Sequence, residues 1–194
     1  MEELLSDDEA RLVLKRILSL YPDAKGELNW DTKFHLLCAV LMSAQTTDKM
    51  VNRTTPKFFK DYPDSATLAQ ANIEDIENHI RTIGLYRTKA KHLKETAQII
   101  TEKFDGQIPK DKKILMTLPG VGEKTANVVL AEGFKVPAIA VDTHVSRISK
   151  RFNIVSAKAT PHEVEKRLEE LLPKEEWIHT HHAMILFGRY TMPA

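Results

Sequence analysis

Two residues in the second half of the chain, Lys124 and Asp142, have side chains suited to covalent chemistry. Lys124 follows a Gly-rich turn and opens a predicted helix, where the positive end of the helix dipole disfavours an ammonium and favours the neutral amine. A neutral amine can attack an electrophilic carbon, and a carboxylate can stabilise positive charge or move a proton. Simpler roles also fit, namely a surface lysine that neutralises phosphate and an aspartate that caps a helix. From these residues alone, both assignments stay open.

The turn before Lys124 is suited to binding phosphate. In Leu118-Pro-Gly-Val-Gly-Glu-Lys-Thr-Ala-Asn127, Gly120 and Gly122 can adopt backbone angles closed to other residues, and no helix breaker follows until Gly133. A Gly-containing turn that leads into a helix leaves several backbone N–H groups unpaired and pointing the same way. The pattern therefore predicts a contact with phosphate by four residues: Gly120, Val121, Gly122 and Lys124.

The rest of the chain is predicted to be helical. Apolar residues recur at helical spacing in about ten segments, several of which begin at a capping residue such as Ser6, Asp64 or Thr160. Residues 136–141 have a strand-like composition but no partner strand, so we interpret them as an extended connector. The sequence therefore predicts an all-α fold.

Some helix boundaries can be predicted in more detail. We expect Asp48 to cap the third helix and Pro56 to bend or interrupt it. An amphipathic helix beginning near Ile73 should continue through Ile83 and stop at Gly84. The last helix should run over residues 175–190. The long helix that starts at residue 87 carries the densest basic cluster, which an ordinary solvated helix face explains as well as a DNA contact does: Arg87, Lys89, Lys91 and Lys94.

Composition limits the classes of function. Lys plus Arg number 28 against 27 for Asp plus Glu, so any DNA surface must come from local clustering and backbone N–H groups. No apolar run approaches membrane-spanning length. The single cysteine, Cys38, excludes an internal disulfide and lies in an apolar helical stripe, which favours a core residue over a thiol nucleophile. We expect a cytoplasmic protein without membrane contact.

Separated motifs resemble, in order, segments of the endonuclease III family of DNA base-excision glycosylases. Residues 118–127 resemble its helix-hairpin-helix, and Val141-Asp-Thr-His144 resembles its catalytic aspartate segment. Ser43-Ala-Gln-Thr-Thr-Asp48 and Ile83-Gly-Leu-Tyr86 resemble its two DNA-reading loops. Residues 181–191 resemble its C-terminal helix. The match covers nearly the whole chain, and several motifs in the right order are more specific than any one of them.

The resemblance implies an arrangement and an activity. It implies two helical lobes around a DNA-binding cleft, with a helical barrel over residues 26–136 and a second lobe formed by residues 1–25 and 137–194. Lys124 would lie on one wall of the cleft and Asp142 on the other. The implied enzyme is a monomeric, bacterial-type, nucleoid-associated DNA glycosylase and AP lyase of base-excision repair. It would act on double-stranded DNA with damaged bases or abasic sites and remove oxidised or ring-saturated pyrimidines through a Schiff base on Lys124.

The resemblance also assigns roles to residues outside the catalytic pair. Gln45 and Leu85 match positions that enter the duplex and fill the gap left by an everted nucleotide, although a loop-capping amide and a half-buried leucine explain them equally well without the resemblance. His144 would contact a phosphate or order the site near Asp142. A monovalent-cation site would be formed by three backbone carbonyls: Met116, Leu118 and Val121.

The chain departs from the family pattern at two places. Family members commonly carry four C-terminal cysteines that bind a [4Fe–4S] cluster, but Met192 occupies the first of those positions and Cys38 lies elsewhere. One cysteine cannot hold such a cluster, so we expect no cofactor. In addition, Glu123 stands beside Lys124 where many members have a basic residue. Its carboxylate should weaken DNA affinity and disfavour the neutral amine.

Two alternative functions remain. A non-catalytic helix-hairpin-helix DNA-binding protein is one, and the presence of both Lys124 and Asp142 argues against it. A monofunctional adenine or mismatch glycosylase is the other. Relatives of that kind usually lack a lysine at the hairpin position, so Lys124 argues against it as well.

Overall fold

The structure, a computed structural model, describes residues 3–193, which are helical and contain no β-strand. The all-α prediction is confirmed, and residues 136–141 form neither helix nor strand. The α-helices of the described residues are α1 (Asp7–Leu20), α2 (Lys33–Ser43), α3 (Asp48–Asp61), α4 (Ser65–Gln70), α5 (Ile73–His79), α6 (Tyr86–Phe104), α7 (Lys112–Leu115), α8 (Glu123–Val128), α9 (Thr143–Arg151), α10 (Pro161–Leu171) and α11 (Trp177–Leu186).

Helix starts follow the local capping signals closely. Ser6 and Glu9 form a reciprocal capping box at the start of α1, in which Ser6 N donates to Glu9 Oε2 at 2.9 Å. Thr160 and Glu163 form the same box at the start of α10. Asp64 caps α4 by accepting from Thr67 N at 2.8 Å. These contacts join residues three apart, so the sequence alone specifies them.

One prediction about α3 is wrong and another is narrowed. Thr47, rather than Asp48, caps the helix, because its hydroxyl accepts from Met50 N at 3.3 Å while Asp48 is the first helical residue. An acidic side chain at that position is still favourable to the helix dipole. Pro56 lies inside α3 and does not interrupt it, whereas a bend at Pro56 stays a prediction. The helix is held against the core on both sides of the proline by its buried face: Val51, Thr55 and Phe58.

Three other helices change form where the sequence predicts simple continuation. The α5 helix ends at His79, and a turn in which Ile83 N donates to Ile80 O at 2.8 Å buries both isoleucines. The α8 helix passes into a π-helical turn, Val129–Gly133. The predicted last helix is divided into a 3₁₀ turn, α11 and a second π-helical turn, Phe187–Thr191. Apolar spacing does not distinguish these widened or tightened turns from regular helix.

The chain divides into two compact units. We call Glu27–Phe134 the middle unit, and Met1–Gly26 with Lys135–Ala194 the terminal unit. Met1, Glu2 and Ala194, which fall in the predicted second lobe, lie outside the described residues. Among the described residues, no helix has both the length and the apolar character needed to cross a membrane.

The core of the middle unit is built around α2, in which every residue from Phe34 to Met42 is buried. Cys38 is 2% exposed, and burial raises the pKa of its thiol, so its interpretation as a core residue is confirmed. The polar exception in this stretch is His35, whose ring stacks on Phe59 with centroids 4.0 Å apart. Its Nε2 donates to the carbonyl of Pro63 at 3.0 Å.

The terminal unit has a core of its own, formed by α1, α9, α10 and α11. Leu14, Ile148, Leu168 and Met184 are completely buried there. Apolar burial on this scale is the main source of stability for a helical bundle of this size.

The end of the terminal unit is fixed by one guanidinium. Arg147 donates from Nη1 to the carbonyl of Met192 at 2.7 Å and from Nη2 to the carbonyl of Gly188 at 2.9 Å. Tyr21 adds a hydroxyl contact of 2.7 Å to Thr191. The two bonds from Arg147 satisfy carbonyls that a helix end otherwise leaves unpaired.

The buried imidazole of His35 should make stability depend on pH. Burial lowers its pKa below the ordinary 6.5, against weaker opposing effects of Pro63 and Asp31. Below pH 6.5 the unfolded chain therefore takes up a proton that the folded chain resists, so stability is lost as pH falls from 6.5 through the folded-state pKa. The variant His35→Gln keeps an amide donor for Pro63 but cannot titrate.

We expect the free energy of unfolding of the wild type to fall relative to that of His35→Gln between about pH 7.5 and about pH 5. Urea titrations of both proteins across this range measure the difference. Parallel pH profiles for the two proteins would contradict the assignment.

Candidate functional site

The hairpin between α7 and α8 is a tight turn with one indispensable glycine. Gly120 has φ +76°, and a Cβ built on it would lie 2.6 Å from His92 Nδ1 and 3.2 Å from Leu41 Cδ2. Gly122 has extended backbone, and a Cβ built there would meet nothing within 4 Å. The backbone of Gly120 is therefore pressed against the core, whereas the Gly122 side of the turn faces open space.

The turn is anchored from beneath by α6. The buried hydroxyl of Thr96 donates to the carbonyl of Pro119 at 3.2 Å. Leu118 and Val121 are buried, and Val121 N donates to Leu118 O at 3.1 Å. That bond leaves the Leu118 carbonyl one lone pair for another partner. The monovalent-cation site at the carbonyls of Met116, Leu118 and Val121 stays a prediction.

Lys124 is the second residue of α8 and is half-buried. Within the part of the chain that the structure describes, no group makes a hydrogen bond or ion pair with its amine. The carboxylate of the adjacent Glu123 lies 3.0 Å from Lys112 Nζ of α7. The negative charge that the sequence sets beside Lys124 is thus offset by a cation from the other helix of the hairpin.

Asp142 caps α9, with Oδ1 accepting from Val145 N at 2.9 Å. The cap occupies one carboxylate oxygen and fixes the orientation of the other. Asp142 belongs to the terminal unit and Lys124 to the middle unit. Their predicted pairing stays a prediction.

His144, one residue into α9, is fixed on two sides. Its Nδ1 lies 3.3 Å from Arg147 Nη2, and because a guanidinium only donates, Nδ1 must accept and the neutral ring carries its proton on Nε2. A Cβ built on Gly188 would lie 2.9 Å from His144 Cβ, so the glycine makes room for the ring. The imidazole is therefore set to act as a donor from Nε2.

The structure brings the two predicted DNA-reading loops together. Gly84 N of the second loop donates to Thr46 Oγ1 of the first at 3.3 Å, and a Cβ built on Gly84 would lie 3.3 Å from the carbonyl of Gln45. Gln45 has φ +54° and Leu85 has φ +58°, and both side chains are exposed. Two neighbouring loops thus each present one side chain from left-handed backbone, which is uncommon outside glycine.

Lys89 is a residue that the sequence interpretation misassigned. It is 6% exposed, so it does not belong to a solvated basic face. Its Nζ donates to Met42 O at 2.8 Å, to Thr46 Oγ1 at 3.1 Å and also to Ala44 O. The spacing of Lys89 with Leu93 and Thr96, which places all three on the buried face of α6, was the available signal.

Comparison with known proteins agrees with this geometry. Residues 38–174 match the family model of the HhH-GPD superfamily of base excision DNA repair proteins. The chain is 44% identical to endonuclease III of Bacillus subtilis over 187 residues, which cover 96% of this chain and 85% of that protein.

Solved structures agree as well. A trapped endonuclease III–DNA covalent intermediate, an estranged-adenine complex, superposes with TM-score 0.97 at 45% identity and covers 98% of this chain and 90% of its own. A non-covalent endonuclease III–DNA complex gives TM-score 0.94 at 45% identity over 96% of this chain and 87% of its own. The chain therefore belongs to the HhH-GPD superfamily of base excision DNA repair proteins.

Proposed function

We propose that this protein is a bifunctional DNA glycosylase and AP lyase that removes oxidised or ring-saturated pyrimidines from double-stranded DNA. The observation that carries the proposal is the Lys124 amine, half-buried in the first turn of α8 and unbonded within residues 3–193. An amine so placed can serve as a nucleophile. The near-complete match to an endonuclease III trapped covalently on DNA supports the same assignment.

The proposed reaction has two steps. The Lys124 amine attacks C1′ of the damaged nucleoside, the bond from C1′ to the base breaks, and the base leaves with a proton. Ring opening gives a Schiff base, and loss of a proton from C2′ then expels the 3′ phosphate and cuts the strand. Asp142 stabilises the positive charge that develops on the sugar and transfers protons. A carboxylate held in a fixed position can do both.

DNA would be held without a net basic charge. The N–H groups at the start of α8, which follows Gly120, Val121 and Gly122, suit a phosphate. The open space around Gly122 allows close approach of a phosphodiester. His144 would add one donor from Nε2.

Base removal requires the target nucleotide to leave the stack. We propose that Leu85, 62% exposed, wedges between bases and that Gln45 hydrogen-bonds the base left without a partner. The contact between their loops supports a joint action at one step of the duplex.

Neither alternative function fits the site as well. A monofunctional glycosylase needs no amine at Lys124, and a non-catalytic binding module needs no unbonded lysine beside its phosphate turn. Action as a monomer, at the nucleoid of a bacterial cytoplasm, stays a prediction.

We further propose that the protein works without a [4Fe–4S] cluster. Such a cluster requires several thiolates, and the 194 residues supply only Cys38, which is buried within α2. At the position of the first family ligand, the Met192 carbonyl is bonded by Arg147 and its side chain packs on the terminal core. The residues present do not fit the group, so no step of the mechanism involves it.

Borohydride should trap the wild type covalently on duplex DNA that contains dihydrouracil or an abasic site, because reduction fixes the Schiff base. Lys124→Ala should abolish trapping and strand cleavage. Asp142→Asn should slow base release by about 10²-fold or more while DNA binding persists, since asparagine also caps helices well. Denaturing gels with single-turnover rates measure both effects. Normal cleavage by Lys124→Ala would remove the proposed nucleophile.

The two hairpin glycines should respond differently to the same substitution. Gly120→Ala forces a left-handed residue against His92 and should cost about 1–3 kcal/mol of stability. Gly122→Ala should leave stability nearly unchanged but weaken DNA binding, because its methyl group occupies the space a phosphate needs. Thermal unfolding and fluorescence anisotropy separate the two results. Unchanged DNA binding by Gly122→Ala would contradict the proposed phosphate contact.

The purified protein should contain no stoichiometric iron or acid-labile sulfide, even after anaerobic expression with ample iron. Four irons per chain by elemental analysis would refute the proposal.

Arg147→Met should lower stability by about 2 kcal/mol, since it removes charge-assisted bonds to two carbonyls. Arg151→Met, an exposed change on the same helix, serves as the matched control.

A further inference from the structure

Lys89, a buried cation, and Thr46 together connect the two DNA-reading loops to the helices that support them. Lys89 lies in the first turn of α6, just after Leu85, and reaches back to the end of α2. An ammonium has three protons, and here all three have acceptors: Met42 O, Ala44 O and Thr46 Oγ1. Two of these acceptors are carbonyls at the negative end of α2, where a cation is favourable.

Thr46 connects this cation to the second loop. Its hydroxyl oxygen accepts from Lys89 Nζ at 3.1 Å and from Gly84 N at 3.3 Å. The first loop therefore cannot shift without disturbing either the cation or the backbone of the second.

The bonded atoms stand beside the two residues with left-handed backbone. Gln45 lies between Ala44 and Thr46, and Leu85 follows Gly84. Such backbone is unfavourable for residues other than glycine and persists only where the surroundings fix it. The exposed side chains of Gln45 and Leu85 contribute little packing, so backbone contacts must do the fixing.

We infer that Lys89 and Thr46 are positioning residues, which clamp the two loops into one rigid element and hold Gln45 and Leu85 ready to enter the duplex. The inference rests on the proposed function, because it assigns those two side chains to nucleotide extrusion. Lys89 touches no substrate and acts through the loop backbone. Preorganised loops spare the DNA-bound state the entropy of ordering them.

A purely structural role for Lys89, as a cap on α2, makes a different prediction. Loss of a cap lowers stability but affects all substrates of the folded protein alike. Loss of positioning affects the substrate whose base must be forced from the stack and spares the substrate that is already without a base. An abasic nucleotide costs least to extrude.

The test compares Lys89→Met, which keeps the length of the side chain, and Thr46→Val, which keeps its shape and cuts only the hydroxyl link. Lys103→Met is the matched control, an exposed lysine on the same helix. Each protein is measured by single-turnover kinetics on a duplex with a paired dihydrouracil and on a duplex with a preformed abasic site. Fluorescence of 2-aminopurine beside the lesion, at equal fractions of bound DNA, reports unstacking directly.

We expect both test variants to slow base release by about ten- to a hundredfold and to reduce the 2-aminopurine signal, while strand cleavage at the abasic site changes by less than about threefold. Lys103→Met should match the wild type. Equal losses on both substrates, or no loss on either, would overturn the inference. If Lys89→Met fails to fold, Thr46→Val decides the question alone.

The proposed function fails on a separate result. A wild-type protein that neither releases dihydrouracil nor cleaves the abasic strand would refute the glycosylase and lyase assignment. An active wild type with an unaffected Thr46→Val would refute only the positioning role.

Discussion

Side chains of α6 fix the backbone of two exposed turns, and the candidate site of the middle unit depends on them. Lys89 holds the loop that carries Gln45, and Thr96, two helical turns further on, holds the carbonyl of Pro119 in the hairpin. Between them, the ring of His92 lies where a side chain on Gly120 would have to be. A turn that meets DNA must expose its backbone, so its rigidity has to come from bonds on the inner side. One helix supplies those bonds to both turns, and Thr46 passes the first of them on to Gly84 of the neighbouring loop.

This protein has charged groups at specific positions rather than a large excess of positive charge. With a formal net charge of +1, the chain gains little from long-range attraction to DNA. Instead, the helix start at α8 offers N–H groups, and the acidic neighbour of Lys124 is paired with Lys112. Lys89, which the sequence places in a basic cluster, is buried and bonded inside the fold, so it does not add to the basic surface. Affinity of this kind relies on short-range geometry, which makes the precise shape of the hairpin matter more than total charge.

Hydrogen bonds and packing hold the last helical turn of the terminal unit in place. Arg147 collects the carbonyls of Gly188 and Met192, and the same guanidinium sets the tautomer of His144. Arg147, which bonds the last helical turn, therefore also orients His144, two residues after Asp142. Stability and the geometry of the site are therefore coupled through one residue.

The sequence by itself determined the helical fold, the capping boxes at Ser6 and Thr160, and the hairpin at Gly120, because each depends on residues within a few positions of one another. It also identified Lys124 and Asp142 as chemically suited side chains. Only the tertiary structure decided that Lys89 is buried and bonded to a loop more than forty residues away, since no local pattern records a contact at that separation. The left-handed backbone of Gln45 and Leu85 was decided in the same way. Backbone of that kind is unfavourable in an isolated segment and is adopted only when distant parts of the fold hold it in place.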